Sequence, residues 1–187
     1  MPSATQLIRQ DHKRVEGLFK KFDQSKAGTA KRRVAENAMT ELEVHAALEE
    51  EIFYPAIEKE LDDRSMVKEA RDEHKTVKEL IAELKSLGNE EDEGEEFETK
   101  FNEMMENVRH HVEEEENEML PKVEETELDL RNLGDQMAKR KQALQKGGGA
   151  KKKRTSSTSR SKTTTRSKTK SKTKAKSKSK SKRKRSA

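Results

Sequence analysis

The segment Asp11-His12-Lys13-Arg14-Val15-Glu16-Gly17-Leu18 returns as Glu73-His74-Lys75-Thr76-Val77-Lys78-Glu79-Leu80, with the acid, His, Lys, Val and Leu kept at an offset of 62. A second segment, His45-Ala46-Ala47-Leu48-Glu49-Glu50, returns as His111-Val112-Glu113-Glu114-Glu115-Glu116 at an offset of 66, and each is followed by a proline ten residues after its His, Pro55 or Pro121. This repeat constrains the fold more tightly than any other feature. Two related hairpins pack about an approximate two-fold axis, and the four His converge on it.

The repeats sit inside apolar stripes of helical spacing, without two-residue alternation. Ile8, His12, Val15, Leu18, Phe19 and Phe22 form the first, ended by Gly28-Thr29. A second opens near Thr29 with Val34, Ala38, Leu42, His45, Leu48, Glu49, Ile52 and Phe53. The third, from Ser65 to Gly88-Asn89, carries Val67, Ala70, His74, Val77, Leu80, Ile81 and Leu84. After an acidic loop over 92–94, Phe97, Phe101, Met104, Met105, Val108, His111, Val112, Glu115, Met119 and Leu120 form the fourth. Four such stripes with short connections predict an all-α, antiparallel up-down-up-down four-helix bundle over 1–126. Pro55 and Pro121, lacking a backbone donor, should kink or end their helices. Leu128, Leu130, Leu133, Met137 and Leu144 predict a short fifth helix over 127–146.

Beyond it the chemistry changes. Of the 42 Lys and Arg, 18 lie in residues 150–187, which contain no acid; the other 24 share residues 1–149 with all 37 acids, a net charge of −13. Gly147, Gly148 and Gly149 read as a flexible joint, and the Lys/Arg/Ser/Thr segment after them, unable to bury a core, reads as a disordered tail over 147–187. The absence of Cys excludes disulfides, iron–sulfur clusters, thiolate zinc sites and cysteine nucleophiles. With no apolar run of membrane-spanning length and no leader-like start, the chain reads as soluble, unexported and cytoplasmic, without membrane contact.

His45/Glu49 and His111/Glu115 are i,i+4 pairs, about 40° apart around a helix, so both members of each pair look inward. A single inward His is an ordinary core residue. Two ionised carboxylates beside four imidazoles are not, because burying an unpaired charge costs several kcal/mol and no Lys or Arg occupies the same stripe positions. A multivalent cation removes that cost. Imidazole with carboxylate suits iron, manganese or zinc, and six ligands with two carboxylates favour two ions over one. Residues three before the His are Arg9, Leu42, Arg71, Asn107 and Val108, which excludes the ferritin-type Glu-x-x-His pattern. His110 lies about 100° off the inward face and reads as exposed or supporting. Tyr54 reads as packing, and Asp11 and Glu73 as surface or supporting groups.

The order His…His-x-x-x-Glu…His…His-x-x-x-Glu resembles the hemerythrin-like, or HHE cation-binding, family over about residues 4–125. The resemblance implies a non-haem di-iron centre with oxo, hydroxo or carboxylate bridges that reacts with O₂, peroxide or nitric oxide. His12 and His45 would bind one iron, His74 and His111 the other, and Glu49 and Glu115 would bridge. Oxygen-carrying members bring two His from the third helix and a carboxylate five residues after the fourth-helix His. Here Ala70 and Lys78 flank His74, and Glu116 stands at the five-residue spacing as the alternative ligand. An open position near His74 shifts the expectation from O₂ carriage toward redox, peroxide-decomposing or sensing chemistry.

The tail, including Lys151, Lys152, Lys153, Arg154 and the terminal Lys182, Arg183, Lys184 and Arg185, resembles the Lys-rich tails of linker-histone-like proteins. With no aromatic residue and no fold it offers neither stacking nor groove reading, which leaves non-specific phosphate neutralisation of nucleic acid. Two functions follow: a nucleoid-associated iron protein that consumes peroxide or handles iron under oxidative stress, or a non-catalytic iron, oxygen or redox sensor.

Overall fold

The computed structural model describes residues 2–26, 28–61, 64–87 and 91–154, with 91–93 and 147–154 described by backbone alone. Every regular element among them is helical. Helix α1 (Ala4–Gln24) starts with a capping box: Gln6 N–H donates to Ser3 Oγ, and Ser3 N–H to Gln6 Oε1. Each satisfies a backbone donor that the first turn leaves orphaned. Gly28, at φ 99°, supplies the left-handed step into α2 (Thr29–Leu48).

A π-turn, π1 (Glu49–Phe53), follows α2 without a break and leads into α3 (Tyr54–Ile57); α5 (Glu91–Glu114) passes in the same way through π2 (Glu115–Met119) into α6 (Leu120–Glu124). Between them lies α4 (Ser65–Ser86). The expected proline effect therefore takes a particular form. Tyr54 N–H bonds to Glu49 O, and Leu120 N–H to Glu115 O, so the widened turn immediately precedes each proline. In an α-helix the proline ring would strike the carbonyl four residues back; one wider turn relieves this and the helix continues. The acidic segment expected as a loop is helical from Glu91. Acids in a first turn are favoured by the unpaired amides and the dipole of the helix N-terminus.

The core has two apolar parts. Val15, Phe19, Phe22, Leu42, Val77, Leu84, Phe101 and Val108 belong to one; Ile8, Leu48, Phe53, Ile57, Val67, Ala70, Met119 and Leu120 to the other. Along α1 the chain passes from the second part to the first, along α2 it returns, and α4 and α5 repeat the alternation. That is the antiparallel order, and on each helix the inward His falls between the two parts.

A fifth rod, α7 (Leu130–Arg154), packs on α1, α2 and π1, burying Leu133 and Met137 in the second apolar part. It passes through residues 147–149, where a joint was expected, because glycine costs a helix about 1 kcal/mol per residue but blocks no backbone bond. Residues 155–187, including Lys182, Arg183, Lys184 and Arg185, lie outside the described residues, as do the side chains of Lys151, Lys152, Lys153 and Arg154. No described helix is long and apolar enough to cross a membrane.

Candidate metal centre

His12 on α1, His45 on α2, His74 on α4 and His111 on α5 meet Glu49 and Glu115, the first residues of π1 and π2, in a layer between the two apolar parts. All six are buried; Glu49 is 0% exposed and Glu115 1%. The carboxylates span the layer. Glu49 Oε1 lies 3.2 Å from His45 Nε2, and its Oε2 3.2 Å from His74 Nε2. Glu115 Oε2 lies 3.2 Å from His12 Nε2 and 3.9 Å from His111 Nε2. Donor atoms of His45, Glu49, His74 and His111 fall within 4.8 Å of one another, and so do those of His12, His45, Glu49 and Glu115.

The outward nitrogens are held by further carboxylates. His12 Nδ1 donates to Glu116 Oε1 (2.8 Å), His74 Nδ1 to Glu50 Oε1 (3.2 Å) and His111 Nδ1 to Glu73 Oε2 (2.8 Å). In the neutral ring a proton fixed on Nδ1 leaves the Nε2 lone pair aimed inward, the tautomer that metal-binding imidazoles need. Glu116, expected as an alternative ligand, sits behind His12, outside the groups of donor atoms that lie within 4.8 Å of one another. Glu73 is a supporting group, as expected. Glu50 was missed, although its repeat mate is Glu116 and both follow the inward Glu. His110 is exposed, beside Glu73 and Glu114.

Two groups break the two-fold symmetry. Tyr54, whose repeat mate is Leu120, is fully buried; its hydroxyl donates to Glu49 Oε2 (3.4 Å), and its ring lies 5.6 Å from that of His74. The packing role expected for it is joined by a direct bond to the cluster. Asp11, the repeat mate of Glu73, pairs with Lys141 of α7 instead of with an imidazole.

Without a cation the layer is electrostatically awkward. His74 and His111 bring Nε2 within 3.1 Å of Nε2. His12 Nε2, His45 Nε2, Glu49 Oε1 and both oxygens of Glu115 are buried without a hydrogen-bond partner. Burial pushes the Glu49 carboxyl well above the usual carboxylate range, and the charge of Glu115 adds to it. Burial would raise Glu115 too, but the imidazoles of His12, 3.2 Å away, and of His111 bring it below its ordinary value. For His12, burial is outweighed by Glu115 and Glu49, and its pKa rises to about 9. Burial and three neighbouring imidazoles drive His45 well below its ordinary value. Orphaned lone pairs converging from imidazole and carboxylate fit a divalent transition-metal ion. Beside the layer is a cavity of about 20 Å³, walled by Val15, Leu42, Val77, Ile81 and Val108 together with the four His.

A helical bundle with a buried, inward-facing His/Glu layer defines a metal-binding four-helix protein. The profile of the hemerythrin HHE cation binding domain matches residues 3–123, and the chain belongs to that family. Among solved structures, a hemerythrin HHE cation binding domain-containing protein from Mycobacterium kansasii is similar in fold: TM-score 0.68, 24% identity, covering 83% of this chain and 94% of that one. No curated protein matches the chain.

Proposed function

We propose that the protein is a non-haem di-iron protein, with His12 and His45 holding one iron, His74 and His111 the other, and Glu49 and Glu115 shared between them. The observation that carries this reading is the placement of each carboxylate between imidazoles of the two pairs, Glu49 between His45 and His74, Glu115 between His12 and His111. Manganese and zinc suit the same donor set. Two irons, when bound, supply redox chemistry toward O₂, peroxide or nitric oxide.

The chain's own residues prepare that chemistry. Glu50, Glu73 and Glu116 hold the Nδ1 protons and so keep Nε2 free. Tyr54 holds a proton against Glu49. The cavity of about 20 Å³ beside the layer has room for a molecule of roughly water size. The tail, by its 18 cationic residues and absence of acids, neutralises phosphate and keeps the domain near nucleic acid in the cell.

A second reading, a sensor without turnover, draws on the contact of α7 with Asp11, through which a change of charge in the layer would reach the helix that leads into the tail. Metal analysis with an absorption spectrum tests the di-iron assignment. Repeated peroxide decomposition by iron-loaded protein supports the redox enzyme, whereas stoichiometric bleaching with a conformational change supports the sensor. A protein that binds neither iron nor another transition metal refutes both.

A further inference from the structure

Glu73 stands between two environments. Its Oε2 accepts from His111 inside the bundle, and its Oε1 lies 3.6 Å from Nε2 of His110, whose side chain is 65% exposed. One turn on, Glu114 Oε1 is 3.3 Å from the same His110 nitrogen. Donor atoms of Glu73, His110 and Glu114 lie within 4.8 Å of one another.

Behind this trio a cavity of about 50 Å³ opens between α4 and π2 and reaches His111 and Glu115. Glu69 and Glu73 on one wall, and Glu114 and Glu118 on the other, are each four residues apart, so each pair stacks on one helix face. The described lining contains no Lys or Arg. Exposed acids alone would be a solvated face. What distinguishes this cavity is its floor: Glu115 is 1% exposed, and neither of its oxygens has a hydrogen-bond partner. An acidic wall running from solvent to an unpartnered buried carboxylate is a path for a cation. One imidazole and two carboxylates at the mouth favour a transition-metal ion over calcium or magnesium.

We propose that Glu73, His110 and Glu114 form a surface loading site that takes hydrated divalent transition-metal ions and passes them along this cavity to Glu115 and His111. The inference rests on the reading of the buried layer as a metal centre. Each stage exchanges water for a carboxylate oxygen, and the cavity's field concentrates cations at its mouth. A station on the way in lowers the barrier in both directions without taking part in the final complex. It therefore sets the rate of loading and release and leaves the affinity alone.

The test mixes metal-free full-length protein with cobalt(II) in a stopped-flow instrument and follows the visible absorption of bound cobalt. The double variant His110→Ala/Glu114→Gln should load roughly tenfold more slowly, a factor within the range of electrostatic steering. Release to a chelator should slow by the same factor, with an unchanged end point. Glu36→Gln, an exposed acid on α2, should load at the wild-type rate. An unchanged rate in the double variant overturns the proposal. So does a lowered end point, or an equal slowing in Glu36→Gln, which would mean that overall charge and not this path steers the ion. Wild-type protein that takes up no cobalt overturns the metal-centre reading and this inference with it.

Discussion

Lys141, on the helix outside the internal repeat, forms an ion pair with Asp11, the neighbour of His12, and the two side chains are only 13% and 5% exposed. Two residues past Glu49, Glu51 receives two hydrogen bonds from Arg140 (2.7 and 2.9 Å). Helix α7 therefore grips two elements of the first hairpin that carry inward side chains, α1 with His12 and π1 with Glu49. Its repeat mates offer no such hold, since Asn117 stands where Glu51 does and Glu73 is engaged with His111.

Replacing Lys141 by Met should leave the Asp11 carboxylate buried without its cation, at a cost on the order of 3 kcal/mol. The pair Asp11→Asn/Lys141→Met should recover most of that loss. Urea denaturation of the three proteins decides the matter; a single variant as stable as wild type would show that the pair contributes nothing.

Gly134→Ala should destabilise the protein, although alanine favours a helix by about 1 kcal/mol. A Cβ at Gly134 would lie 2.8 Å from Ser3 C and 2.9 Å from Ala4 N, backbone atoms that α1 holds in its first turn. Proteolysis within α7 should become faster, and a gain in melting temperature would contradict the close approach.

Glu49→Ala or Glu115→Ala should lower bound iron to one ion or fewer per chain, while His110→Ala should leave the amount at saturation unchanged. Two ions retained in both glutamate variants would refute their sharing.

Metal-free protein should lose stability as pH rises from 6.5 to 9. His12, raised to about 9 from 6.5, contributes stability that is full below 6.5 and is lost as pH climbs through 9. Glu49, also raised, acts in the same sense, its contribution disappearing as pH rises through its elevated pKa. The depressed His45 costs stability only below 6.5, outside this window. The expected loss is roughly 3 kcal/mol, and bound metal should suppress it while raising the melting temperature. Denaturation curves for metal-free and loaded protein at both pH values measure this; flat or rising stability in the metal-free protein would contradict it.

If the tail meets about 6 to 10 phosphates, duplex DNA affinity should fall by roughly 10³ to 10⁵ between about 50 and 200 mM salt, with little dependence on sequence. Truncation after Gly149 should abolish binding and preserve iron content, because the acidic body repels phosphate. A gel shift with both proteins at two salt concentrations tests it, and binding by the truncated form would refute the tether.

The repeat, the 3.6-residue stripes and the short connections between them were sufficient to determine the bundle, its antiparallel order and the inward placement of His12, His45, His74, His111, Glu49 and Glu115, since periodicity sets the buried face and a short connection forces the next helix to run back. The π-turns were visible only as prolines: sequence marks the missing donor at Pro55 and Pro121, but whether the helix breaks or widens depends on the packing of Leu48, Phe53, Met119 and Leu120 around it. The supporting layer was less legible. Glu50, Glu73 and Glu116 stand among many similar acids, and which of them reaches an imidazole depends on how neighbouring helices are rotated. Tyr54's bond to Glu49 and Lys141's to Asp11 are decided by tertiary structure alone. Periodicity fixes which face of a helix is buried; the partner across that face comes from another helix, 130 residues away in the case of Lys141 and Asp11, and only packing brings the two together.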